Sequence, residues 1–243
     1  MIMKSSEMTL NPKRVVMFLG TIAFILVLAN IGVNIIKLLT DDRSFHGIIP
    51  MFDLKSEGNI PTFFSGCLFL INAILLTLFW QTQRHNGARS QRIWLFLAVL
   101  FVFLAFDEDF QVHELLIDPL REGLGTSGVF YYAWVIAYGG AVVVLGLVFL
   151  PVWWRLSKSV KLWLALAAIV YLLGAVGLEM AGGAYYESIQ GEGGIIYGAL
   201  YTAEETLEMA GLIIFTYSLL LMIRKNSAGM TISIPGELVS EPV

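Results

Sequence analysis

Residues 106–114, Phe-Asp-Glu-Asp-Phe-Gln-Val-His-Glu, carry four carboxylates and one of the chain's three histidines. They follow the apolar run 93–105, where a membrane helix would still be in lipid. An ionised carboxylate at that depth is costly unless it is paired or hydrogen-bonded. Glu204, Glu205 and Glu208 form a second concentration of acid, and Glu179 stands alone in a third apolar run. Many oxygens, one nearby imidazole and no thiolate suit a hard divalent ion such as Mg²⁺, Ca²⁺, Mn²⁺ or Fe²⁺ rather than structural zinc. The candidate ligands are Asp107, Glu108, Asp109, His113, Glu114, Glu179, Glu204, Glu205 and Glu208. Glu204 and Glu208, at i and i+4 with Glu205 beside them, present two or three carboxylates to one place. The two Glu-x-x-His pairs of a di-iron bundle are missing, and the other outer histidine, His46, lies in a loop, short of a zinc-hydrolase set.

The elements that must position these groups are helices. The chain is 57% hydrophobic and 14% charged, far from the balance of soluble domains. Its apolar runs predict an all-α polytopic membrane protein, a bundle of six transmembrane helices at about 15–39, 61–82, 92–116, 128–150, 160–185 and 196–223. Residues 1–12 form a cytoplasmic lead, 13–225 the membrane domain, and 226–243 a tail without helical pattern, expected to be disordered. Lys13 and Arg14, then Arg84, Arg89 and Arg92, then Arg155, Lys158 and Lys161, and finally Arg224 and Lys225 make alternate connections basic. Both termini are therefore expected in the cytoplasm and the protein in the plasma membrane, the inner membrane of a bacterium. The bilayer is the main partner. A net charge of −4 and no soluble domain leave no expectation of nucleic-acid binding. The single cysteine, Cys67, excludes an internal disulfide.

On this topology the acids share one level near the outer surface. Helical phase, about 100° per residue, puts Tyr197, Tyr201, Glu204, Glu208 and Gly211 on one stripe. It aligns Glu179 with Ala175, Gly182, Gly183 and Tyr186. It splits the opening stretch, with Asp107, Gln111 and Glu114 on one face and Asp109 and His113 nearly opposite. Either one of these faces looks away from the bundle or the helix unwinds there. Asn30, Asn34 and Lys37 line up on the first helix, Ser65 and Asn72 on the second, and Tyr131, Trp134 and Tyr138 on the fourth. Together with Gln111, Tyr197 and Tyr201 these give a set of candidate cavity-lining residues. Lys37 and His113 are the cations available to offset the acid layer. The deficit is met by protonated carboxyls, by water in an outward vestibule, or by a metal ion. Leu-Glu-Met-Ala-Gly occurs twice, at 178–182 and 207–211, and each time places a small residue on the carboxylate's face, where a helix can approach closely. A three-plus-three inverted repeat is not supported, because inversion would move the second acid cluster to the inner side.

The general plan, membrane helices with acids and histidine at one surface, resembles the membrane metallohydrolases of the alkaline ceramidase type. Their multi-histidine pattern is absent, so no residue role is carried over. The sequence supports an outward-facing acidic site for a divalent cation, in a metal-dependent enzyme acting on a lipid-soluble substrate. The alternatives are an ion-coupled or cationic-solute transporter and a non-catalytic assembly subunit. The apolar inner halves of the helices weigh against the carrier.

Overall fold

The computed structural model describes residues 6–8, 11–40, 44–56, 58–85, 91–191, 194–226 and 232–234. The loop charges Asp41, Asp42, Arg43, Glu57, Arg89 and Glu192 lie outside these residues, as do the side chain of His85 and most of 226–243. The chain is helical apart from a three-residue pair, β1 (Ser6–Met8) antiparallel to β2 (Ile232–Ile234). The helices are α1 (Pro12–Thr40), α2 (Ile48–Phe52), α3 (Ile60–His85), α4 (Gln91–Phe110), α5 (Ile117–Leu124), α6 (Trp134–Trp154), α7 (Lys158–Leu172), α8 (Glu179–Ser188) and α9 (Ile195–Asn226). Five are long and apolar enough to cross a membrane: α1, α3, α6, the continuous run of α7 and α8, and α9. A helix satisfies its own backbone, which lipid cannot do, so apolar runs of this length form helices. The fifth run is regular except at Leu173–Leu178, one π-helical segment joining α7 to α8.

The helices expose apolar faces outward, as lipid solvation allows: Phe18, Phe24 and Leu38 on α1, and Val143, Leu147 and Val148 on α6, are all exposed. The centre belongs to α3 and α9. Half or more of their most apolar stretch is buried, 50% and 56%, against 6% for α6. The two run parallel. Asn72 donates to the Leu212 carbonyl at 3.2 Å and accepts from the Thr216 hydroxyl at 3.0 Å. Farther along, Leu76 and Phe79 meet Leu219 and Met222 in an apolar cluster completed by Trp94, Leu97, Val160 and Leu164. α1 runs antiparallel to α9: Asn30, late in α1, bonds Thr202, early in α9, whereas Leu19 packs near Leu212 and Ile213. The start of α1 and the end of α9 therefore share one end of the bundle. α7 crosses α9 closely, because a Cβ on Gly211 would sit 2.6 Å from that of Tyr171.

The third predicted span, 92–116, is not one helix. It stops at Phe110, since Gln111 takes a left-handed conformation (φ 55°), and a 3-10 turn His113–Leu116 leads into α5. The fourth begins at Trp134 rather than 128, after a second short turn at Gly128–Phe130. The loop after α1 folds back on the bundle. Ile49, Asp53 and Leu54 are buried, and the Leu54 amide donates to Asn30 Oδ1 at 3.0 Å. Substituting Gly211→Ala is expected to lower stability by about 1–3 kcal/mol, because overpacking forces α7 and α9 apart; thermal unfolding of the purified protein in detergent checks this.

Candidate functional site

Asp107, in the last turn of α4, is buried beneath three donors. The break at Gln111 turns the chain so that the His113 amide donates to Oδ1 at 2.8 Å and His113 Nδ1 lies 3.3 Å from Oδ2. Tyr138 Oη of α6 donates to the same Oδ1 at 2.9 Å. Helical phase therefore misassigned this stretch: Asp107 and His113 were expected on opposed faces, yet they form a pair because the helix ends between them. The His113 ring packs on Trp134 with centroids 4.7 Å apart, and Trp134 Nε1 donates to Glu179 Oε1 at 2.9 Å. Glu179 is within side-chain hydrogen-bonding reach of Glu204, which is 7% exposed. A chain of polar contacts thus runs from Tyr138 through Asp107, His113, Trp134 and Glu179 to Glu204, across α6, α4, α8 and α9.

The charged neighbours that act most on Glu204 are carboxylates: Glu179, then Glu208 and Glu205. Tyr171 of α7 lies among Glu208, Glu108, Asp107 and Glu205 and interacts electrostatically with each. Close approach of the helices makes this layer. A Cβ on Gly174 would lie 2.8 Å from the Glu204 carbonyl and 3.0 Å from Glu208 Cγ. Gly211, beside Glu208 in the second Leu-Glu-Met-Ala-Gly copy, gives the approach expected of it. Gly182, in the first copy, meets nothing within 4 Å, and there Gly174 in the π segment takes the role. Ser65 of α3 is also enclosed, and its hydroxyl has no partner. The α3–α9 register, Asn72 opposite Leu212 and Thr216, places Ser65 at the level of Glu205 and Met209.

The expected ligand set is thus divided. Asp107, Glu108, Glu179, Glu204, Glu205 and Glu208 gather in or beside the layer. Asp109 turns away, exposed, against Gly66 of α3, where a Cβ would lie 2.9 Å from its carboxylate. Glu114 is exposed and belongs to an outer cavity. Among the described residues, no group of three or more His, Cys, Asp or Glu side chains is placed to hold a metal ion. Lys37 does not serve the layer, because it pairs with Asp53 at 3.3 Å. Asn30, fully buried, donates to Thr202 and accepts from Asn34 and the Leu54 amide. Asn30, Asn34 and Lys37 thus tie α1, α9 and the α2 loop together, and Asn72 joins α3 to α9. Gln111 supplies the turn.

Above the layer is a cavity of about 370 Å³, at the end of the bundle opposite the chain termini. Tyr131, Tyr197 and Tyr201 line it as the sequence suggested, and Tyr132 and Tyr186 join them. Tyr138 does not, being committed to Asp107. The Tyr132 and Tyr197 hydroxyls meet at 2.8 Å and form its floor, with Tyr201 against Tyr197 and Glu204 one turn deeper. Lys55 and Arg121 also face it, over Tyr197 at 5.0 Å and Tyr131 at 4.7 Å. The sequence gave no signal for these two, because they come from loops whose folding depends on tertiary contacts. Tyr132 and Trp134 were masked by the irregular backbone at 131–133, which breaks the helical phase.

Fold and site together describe an all-helical, apolar bundle of membrane type with a buried carboxyl layer under an aromatic cavity. The chain belongs to the family described as Domain of unknown function (DUF8692), which matches residues 16–223. No curated protein and no solved structure matches it.

The turn at Gln111 carries the Asp107–His113 pair. Gln111→Gly should leave stability unchanged or raise it by up to about 1 kcal/mol, since glycine adopts positive φ freely. Gln111→Ile should cost about 1–2 kcal/mol. Denaturation midpoints of the two variants in detergent provide the comparison.

Proposed function

We propose that this is a plasma-membrane protein of six crossings whose Glu179–Glu204 pair is the centre of an exchangeable cation site, and that the cation is a divalent metal ion. α4 supplies the sixth crossing. Its 20 residues span about 30 Å at about 1.5 Å per residue, and antiparallel α1 and α9 require an even number. The basic residues Lys13, Arg14, Arg84, Arg92, Arg155, Lys158, Arg224 and Lys225 gather at the end that holds the termini, which supports a cytoplasmic location for that end.

The observation that carries the cation reading is the burial of Glu204 beside Glu179, with Glu208 and Glu205 as its further charged neighbours. A hydrogen bond between two carboxyl groups needs one proton between them. A divalent ion that displaces that proton would take both oxygens and relieve the repulsion that the layer otherwise contains. The enclosed, unpartnered Ser65 hydroxyl at the same level supports a polar occupant. Apolar packing below the layer, from Leu76 to Met222, supports a site served from the outer cavity, hence an outer-face binding protein or metal-dependent enzyme on a lipid-soluble substrate rather than a carrier. Such an ion would supply Lewis acidity and an activated water there.

Titration of the detergent-purified protein with Mn²⁺, Mg²⁺, Ca²⁺ and Fe²⁺ tests the proposal. One ion should bind per chain with proton release, more weakly as pH falls, because the carboxyls must be deprotonated to ligate. Glu204→Gln should weaken binding by at least about tenfold, about 1.4 kcal/mol. Folded wild-type protein that takes up none of the four ions at millimolar concentration would overturn it.

A further inference from the structure

The outer cavity has a composition of its own, distinct from the acids beneath it. Lys55 is exposed at its mouth and, among the described residues, its ammonium group shows one contact, the face of Tyr197. Arg121 is held in place by Asp118 and by the Tyr131 ring. Opposite these cations stands Glu114, exposed and on the cavity wall. Between them are tyrosine faces: Tyr131 packs edge-on against Tyr186 at 5.7 Å, and Tyr186 lies on Tyr197 at 5.0 Å. The walls thus offer a cationic side, a carboxylate and a bank of electron-rich rings within about 370 Å³, inside the range of small-molecule sites, about 300–1,000 Å³.

Those three features fit the two halves of one kind of ligand. A phosphate monoanion suits Lys55 and the free edge of the Arg121 guanidinium. An alkylammonium group a few atoms away suits tyrosine faces and a carboxylate. The place in the fold favours a lipid as the source. The cavity opens at one end of the membrane-length helices. Its rim includes α5, where Ile117, Leu120 and Leu124 fall on one side and Asp118, Arg121 and Glu122 on others, the pattern of a helix lying in a membrane interface. Leu115 and Leu124 on this segment are exposed.

We infer that the cavity walled by Lys55, Arg121, Glu114, Tyr131, Tyr186 and Tyr197 binds the headgroup of a zwitterionic phospholipid, a phosphodiester carrying an alkylammonium group. Lys55 and Arg121 hold the phosphate, and the tyrosine faces with Glu114 hold the ammonium. The inference does not rest on the cation reading of Glu179 and Glu204, and a chain that binds no metal can still bind this headgroup.

The test is isothermal titration of the full chain in an uncharged maltoside detergent with three probes: dihexanoylphosphatidylcholine, dihexanoylphosphatidylglycerol and free phosphocholine. The phosphatidylcholine should bind saturably, and the anionic phosphatidylglycerol at least about tenfold more weakly, because it lacks the ammonium group. Lys55→Ala and Tyr131→Ala should each weaken the first by about tenfold or more. Tyr131→Leu, which keeps bulk and removes the electron-rich face, stands in where Tyr131→Ala fails to fold. Free phosphocholine binding as tightly as the lipid would assign the same chemistry to a soluble ester, and much weaker binding assigns it to the bilayer. Equal affinity for the two lipids, no saturation, or unchanged binding in Lys55→Ala and the folded Tyr131 variant overturns the inference.

Discussion

The Asp107 carboxylate is buried at the end of an apolar helix, and much of the structure follows from its need for donors. A regular helix cannot supply them, because its own amides are already bonded one turn back. The chain meets the need by ending α4 at Phe110, turning through Gln111 and returning the amide and ring of His113 to the acid. Tyr138 supplies the last donor from another helix, which fixes where α6 packs. His113 then rests on Trp134, and the Trp134 indole reaches Glu179. One desolvated carboxylate thereby sets the relation of α4, α6 and α8.

Glu204 is treated differently. Its charged surroundings are other acids, and the helices come together over it through missing side chains. Gly174 admits the α9 backbone, and Gly211 admits Tyr171. Where Asp107 is neutralised by directed donors, Glu204 is left in a tight, carboxyl-rich wall. A group fully served by donors has little to offer a ligand, whereas one surrounded by like charge gains from any positive species that arrives. This contrast places the exchangeable chemistry at Glu204 and the structural role at Asp107.

The helical class and most span limits were legible in the sequence, because long apolar runs leave the backbone few alternatives. The shared level of Glu179, Glu204 and Glu208 was legible for the same reason: long helices keep phase and depth. Legibility failed wherever the backbone left the α-helix. Phase arithmetic separated Asp107 from His113 and placed Glu114 with Asp107, because it assumed a helix through Gln111. Tyr132 and Trp134 escaped for a similar cause. Lys37 was assigned to the acids because loop folding was invisible, and only the packing of Ile49 and Leu54 shows that Asp53 claims it. Lys55 and Arg121 enter the cavity through those same loop contacts.

The π segment Leu173–Leu178 has a consequence for how the chain can vary. A π turn holds one residue more than an α turn, so it acts as a local insertion absorbed without breaking the helix. Loss of any single residue from this stretch would relax it to α geometry and rotate all that follows by about 100°. Glu179 would leave Glu204, Gly183 would leave Tyr132, and Tyr186 would swing from the cavity wall, while composition and hydropathy barely changed. Among sequences of this length and apolar character, residue count between Tyr171 and Glu179 is therefore a sharper mark of the intact site than the presence of the acids themselves.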